Sequence, residues 1–206
     1  MDRENVIQKI TEEKGIESIP VLLDLLEKED EETKNLIFEV LSYMGNESVP
    51  ILMEEFKKRF ETSEKDDVVL LYLMEMLGEM EIMEIVPYLE RMLNRYTDER
   101  AFPIIIEHLW KLTGDLKYLS ILETFLDEDE ETEEIAIMAI SQKADKKVID
   151  ILVEKYNNAK SNSKRALILD SLTKVLFMDF DLVPYLKEKS KEISDRVQWY
   201  LKNFSK

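Results

Sequence analysis

One short pattern returns six times along this 206-residue chain. Ile19-Pro20-Val21-Leu22 recurs as Val49-Pro50-Ile51-Leu52, Val86-Pro87-Tyr88-Leu89, Leu119-Ser120-Ile121-Leu122, Ile149-Asp150-Ile151-Leu152 and Val183-Pro184-Tyr185-Leu186. The leucine column is filled in every copy, at intervals of 30 to 37 residues. That interval suits a two-helix repeat, not a heptad or a propeller blade. A unit of this size cannot bury its own apolar face, so the chain must stack such units on one another.

A glycine column marks the other end of the unit. Gly45, Gly78 and Gly114 each follow an apolar-periodic stretch, as glycine does at a helix C′ position that needs a left-handed backbone, and Gly15 does the same for a first helix. Counting back from Gly45, apolar residues fall at Met44, Leu41, Val40, Ile37 and Leu36; from Gly78 at Leu77, Met74, Leu73, Leu70 and Val69; from Gly114 at Trp110, Leu109, Ile106 and Ile105. This is the stripe of a one-sided helix. Pro20, Pro50, Pro87 and Pro184 precede their stripes, and proline suits a first helical turn because the N–H it lacks would be unpaired there. Ser120 and Asp150 take its place as residues suited to helix starts. The pattern predicts a helix near 3–14 and pairs near 16–28/31–44, 46–60/65–77, 82–96/99–113, 115–126/130–143, 146–157/162–177 and 181–190/192–204. No strand-like alternation with hairpin turns competes with it.

The unit Gly15-x-x-Ser-Ile-Pro-x-Leu-Leu-x-Leu-Leu, then Asp30-Glu-Glu-Thr-Lys and a second helix ending Leu41-Ser-Tyr-Met-Gly45, resembles a HEAT repeat. Lys34 and Arg165 match the basic residue that family carries early in its second helix; Asp67, Pro103 and Glu133 depart from it. The resemblance runs from about Ile16 to Phe204. It implies an all-α superhelix, or solenoid, of about six HEAT-like helix pairs behind an N-terminal helix, with residues 1–206 as a single repeat domain. It also implies a scaffold or adaptor for protein contacts, a minority of the family being enzymes such as lyases or DNA glycosylases.

Composition narrows the chemistry. With no cysteine and one histidine, His108, the chain has no thiolate site and cannot supply the paired His and Glu ligands of a di-iron centre. The acidic run Asp127 to Glu131 lacks the glycine and the final glutamate of a calcium loop, having Thr132 and Met138 there. No glycine-rich phosphate loop and no Ser-His-Asp grouping emerges. The expectation is therefore a non-enzymatic protein with no cofactor and no metal. The charge is −17, from 45 acidic and 28 basic side chains, which repels nucleic-acid phosphate. It is unevenly spread: residues 1–159 hold 39 acidic and 18 basic side chains, residues 160–206 six and ten. That basic end suits self-association through the C-terminal repeats or the docking of an acidic partner. The opening residues show no secretory segment and the longest apolar run, Val68 to Met74, is far too short for a membrane span. A cytoplasmic protein without membrane contact is expected.

The candidate site lies on the side of the second helices turned away from the core. Positions three, six, seven and ten back from each glycine point there: Ser42, Glu39, Phe38 and Asn35; Glu75, Tyr72, Leu71 and Val68; Lys111, His108, Glu107 and Ile104. Phe38, Leu71 and Tyr72 would stand with His108 among the carboxylates of Glu39, Glu75 and Glu107, a groove suited to a basic or amphipathic protein segment.

Overall fold

A computed structural model describes residues 3–26, 30–63, 66–97 and 100–204, all of the described secondary structure being helical. The helix ends expected at 27–28 and the starts expected at 65 and 99 lie outside the described residues. The chain divides into two compact units, Met1–Phe102 and Pro103–Lys206.

The first unit holds α1 (Arg3–Lys14), α2 (Ile19–Leu26), α3 (Glu31–Met44), α4 (Val49–Thr62), α5 (Val68–Glu79) and α6 (Val86–Met92). Helix α3 packs on α2 and α5 on α4, while α1, α3 and α5 also pack side by side. The second unit holds α8 (Leu116–Phe125), α9 (Glu130–Ile140), α10 (Lys146–Asn158), α11 (Asn162–Met178), α12 (Val183–Lys189) and α13 (Lys191–Phe204), with all but the first two residues of α7 (Ala101–Thr113). Here α8 pairs with α9, α10 with α11 and α12 with α13, and α9, α11 and α13 form a row in contact.

Two local devices start the helices. The proline-led α4, α6 and α12 have no side-chain cap; like α2, each follows a 3-10 turn, at Gly15–Ser18 for α2 and at Gly45–Glu47, Met83–Ile85 and Phe180–Leu182 for the others. Proline cannot donate to the carbonyl four residues back, so the α-helical ladder cannot run through it into the preceding turn, which closes with i→i+3 bonds such as Ser48 N–H to Gly45 O at 3.0 Å. Most other helices begin on a capping side chain. Asp30 accepts from Thr33 N–H at 2.9 Å, Asp67 from Leu70 N–H at 3.0 Å, Asp145 from Lys147 N–H at 2.7 Å and Ser161 from Lys164 N–H at 3.1 Å. Ser120 and Asp150 are corrections: they sit a turn inside α8 and α10, whose caps are Asp115 and Asp145. With an N–H at the proline position, the ladder continues and the helix starts earlier.

The glycine column is right at three of its four places. Gly15, Gly45 and Gly114 have φ of 55°, 57° and 64°. Gly78 instead lies buried within α5, and the left-handed residue is Glu81, φ 57°. Glu81 N–H bonds to Gly78 O at 3.1 Å and Ile82 N–H to Leu77 O at 3.0 Å, the paired bonds of a Schellman ending three residues later than the glycine suggests.

The leucine column is the core of the repeat: Leu22, Leu52, Leu89, Leu122, Leu152 and Leu186 are all buried. The stripes of α3, α5 and α7 are buried with it except Leu36, which is half-buried. In the first unit, Phe56, Phe60 and Tyr88 meet edge to face at 5.5 and 5.1 Å. The Arg95 guanidinium lies over Phe60, 5.2 Å from the ring centre, and donates to the Phe60 and Ser63 carbonyls. Tyr96 Oη donates to Asp67 O at 2.6 Å, and burial pushes this phenol's pKa up. Asp66, with φ 59°, accepts from both the Thr97 N–H and its hydroxyl. The turn after α4 is thus clamped by the segment after α6. No described helix is long and apolar enough to cross a membrane.

Candidate protein-binding face

Phe38 and Glu39 on α3 and Leu71, Tyr72 and Glu75 on α5 stand on helices that pack together in the first unit. Glu39 is exposed; Phe38, Leu71, Tyr72 and Glu75 are half-buried. The Lys34 ammonium stands 5.7 Å from the centre of the Tyr72 ring, a cation on an aromatic face. Val68, one turn before Tyr72, and Tyr43, near the end of α3, are 56% and 62% exposed. This unit carries 26 acidic and 12 basic side chains, so its surface field is strongly negative.

Glu107 and His108 lie on α7. His108 is a correction: it is 3% exposed, not turned into a groove, and its Nδ1–H donates to Ile104 O at 2.9 Å. The physical reason is that α7 is enclosed around most of its circumference, with Ala101, Pro103, Ile105, Leu109, Trp110 and Leu112 buried. Counting outward positions from Gly114 assumes a one-sided helix, and the apolar content of 101–112 already signals otherwise. Glu107 is half-buried and accepts from Gln142 Nε2 at 2.5 Å, while Gln142 Oε1 accepts from Lys174 Nζ at 2.6 Å. This polar chain links α7, the residues after α9, and α11. Trp110 Nε1–H donates to Ile140 O at 3.0 Å beneath it.

Sequence reasoning missed Lys34, Tyr43, Gln142 and Lys174 as parts of these faces. Tyr43 lies two residues before Gly45, an offset outside the counted positions, and Gln142, expected within a helix reaching 143, falls in a turn because α9 ends at Ile140. Glu39 and Glu75 belong to one unit and Glu107 to the other, so the seven residues are two sets, each described within its own unit.

A cleft of about 650 Å³ opens between the turns that follow α8 and α10. Two of its three lysines have partners: Lys164 bonds Glu133 at 2.5 Å, which holds the ammonium pKa above its ordinary value, and Lys155 bonds Leu126 O and Asp127 at 2.9 Å. Among the described residues no group of three or more His, Asp or Glu could hold a metal ion. Comparison with models of known families, with curated proteins and with solved structures finds no match to this chain. The HEAT-like reading therefore rests on the repeat columns and receives no support from relatives.

Proposed function

We propose that this chain is a non-enzymatic binding protein whose helix pairs repeat as a HEAT-like solenoid, and whose acidic first unit captures a basic, amphipathic segment of a protein partner. The observation that carries the reading is the half-buried Tyr72 ring on α5, with the Lys34 ammonium of α3 on its face and Glu75 three residues further along the same helix. Lys34 sets a precedent for what the Tyr72 face attracts. A partner lysine or arginine would compete for the ring while its apolar side chains cover Leu71 and Val68. The net negative charge of the unit would speed encounter with a cationic segment and weaken with salt.

The test is titration of the intact protein with a synthetic amphipathic helix built from leucine and lysine, beside a duplex DNA of matched length. Peptide binding that falls steeply between about 50 and 500 mM salt, and that Tyr72→Ala with Glu75→Lys weakens about tenfold or more, supports the reading. Tight DNA binding with no peptide binding refutes it.

A further inference from the structure

Five large apolar side chains of the second unit are exposed in two groups, Phe177, Met178 and Phe180 at and beyond the end of α11 and Trp199 and Tyr200 on α13. Phe177 and Phe180 pair edge to face at 6.1 Å, at the end of α11 and in the turn beyond it; Trp199 and Tyr200 pair the same way at 5.5 Å on α13. The two helices pack on one another. Phe177, Phe180 and Trp199 are 62%, 58% and 57% exposed. With about 150–250 Å² per aromatic side chain, the group offers on the order of 500 Å² of apolar surface. A stable interface of standard size takes about 800 Å² from each partner, a little over half of it apolar, so the supply fits the need of one side.

Charge selects the occupant. Residues 160–206 hold ten basic and six acidic side chains, against 18 and 39 in residues 1–159. Two copies meeting through most other faces would bring acid against acid. At this end the charges are mixed, with Lys187 and Glu188 exposed on α12 and Lys191 and Asp195 exposed on α13. We propose that the aromatic surface of α11 and α13 is the isologous interface of a two-fold dimer, its occupant being a second copy of this chain. A two-fold axis sets the same patch against itself, so each exposed ring can meet the edge or face of a partner ring and the contact closes at two copies. This interface is independent of the acidic face on the first unit.

Sedimentation velocity on the full chain, from about 5 to about 200 µM and at about 50 and 500 mM salt, tests it. The expected result is a monomer of 24.4 kDa passing to a species of twice that mass and no larger. Association should hold or tighten at high salt, because screening reduces repulsion between two strongly acidic molecules. Trp199→Glu and Phe177→Glu should each raise the dissociation constant about 30-fold or more, whereas Val21→Glu on α2 of the first unit, an exposed site outside either proposed face, should leave it unchanged. Hydrogen exchange of the wild-type chain, dilute against concentrated, gives the same answer without a variant: protection gained with concentration should fall within 177–204. A monomer at every condition, a dimer indifferent to both charged variants, an open series of oligomers, or protection gained elsewhere overturns the proposal.

Discussion

Replacing Trp110 by phenylalanine probes what joins α7 to α9 in the second unit. The indole is 1% exposed and its N–H reaches Ile140 O at 3.0 Å, one of the final carbonyls of α9 that no intrahelical donor can satisfy. Phenylalanine removes that donor and leaves a buried acceptor, a loss of about 1–3 kcal/mol. The smaller ring also leaves a void of roughly 40 Å³, which at about 24 cal/mol per Å³ adds about 1 kcal/mol. Together Trp110→Phe should destabilise by about 2–4 kcal/mol, lowering the melting midpoint by about 2–4 °C for each kcal/mol. Urea unfolding followed by far-UV circular dichroism measures it, since the variant loses its buried fluorophore. The control is Trp199→Phe at low protein concentration, an exposed site where a change within about 0.5 kcal/mol is expected. A loss below about 1 kcal/mol for Trp110→Phe, with an unchanged denaturant slope, would refute the view that this indole joins α7 to α9.

Three further outcomes follow from local geometry. Glu81→Gly, at the left-handed Schellman position of φ 57°, should stabilise the first unit by about 1 kcal/mol in urea titration, because glycine enters that region without strain. Gly114→Ala should cost about 1 kcal/mol or more by the same measurement: φ is 64°, and the new Cβ would lie 2.8 Å from Lys143 Cε, displacing the Lys143 ammonium from Lys111 O. Asp30 is held below the ordinary carboxylate pKa of 3.8 by the backbone and hydroxyl of Thr33, and Asp129 by the hydroxyl and backbone of Thr132. Depressed carboxylates contribute stability that is complete above the ordinary value and is lost as pH falls through the folded one. The double variant Asp30→Asn and Asp129→Asn should therefore show a shallower fall in melting temperature below about pH 4 than the parent, since asparagine caps without titrating. Equal slopes would count against the caps.

Short-range rules made most of the helices legible. The proline at the second residue of α4, the aspartates before α3 and α10, and the buried leucine column follow from hydrogen-bond bookkeeping and a 3.6-residue period. Those depend on neighbours a few positions away, so one sequence suffices. The misplaced features share a different cause. Gly78 reads as a terminus, yet α5 carries on because the residues after it, through Glu81 and Ile82, close a better ending. His108 reads as outward, yet α7 is covered on nearly every side. The half-exposure of Tyr72, the chain from Glu107 through Gln142 to Lys174, and the clamp of Asp66 on Thr97 join residues about 30 or more positions apart, or depend on which neighbour covers a helix face. Periodicity tells which side of a helix is apolar; only the packing of one helix on the next decides how much of the other side stays open.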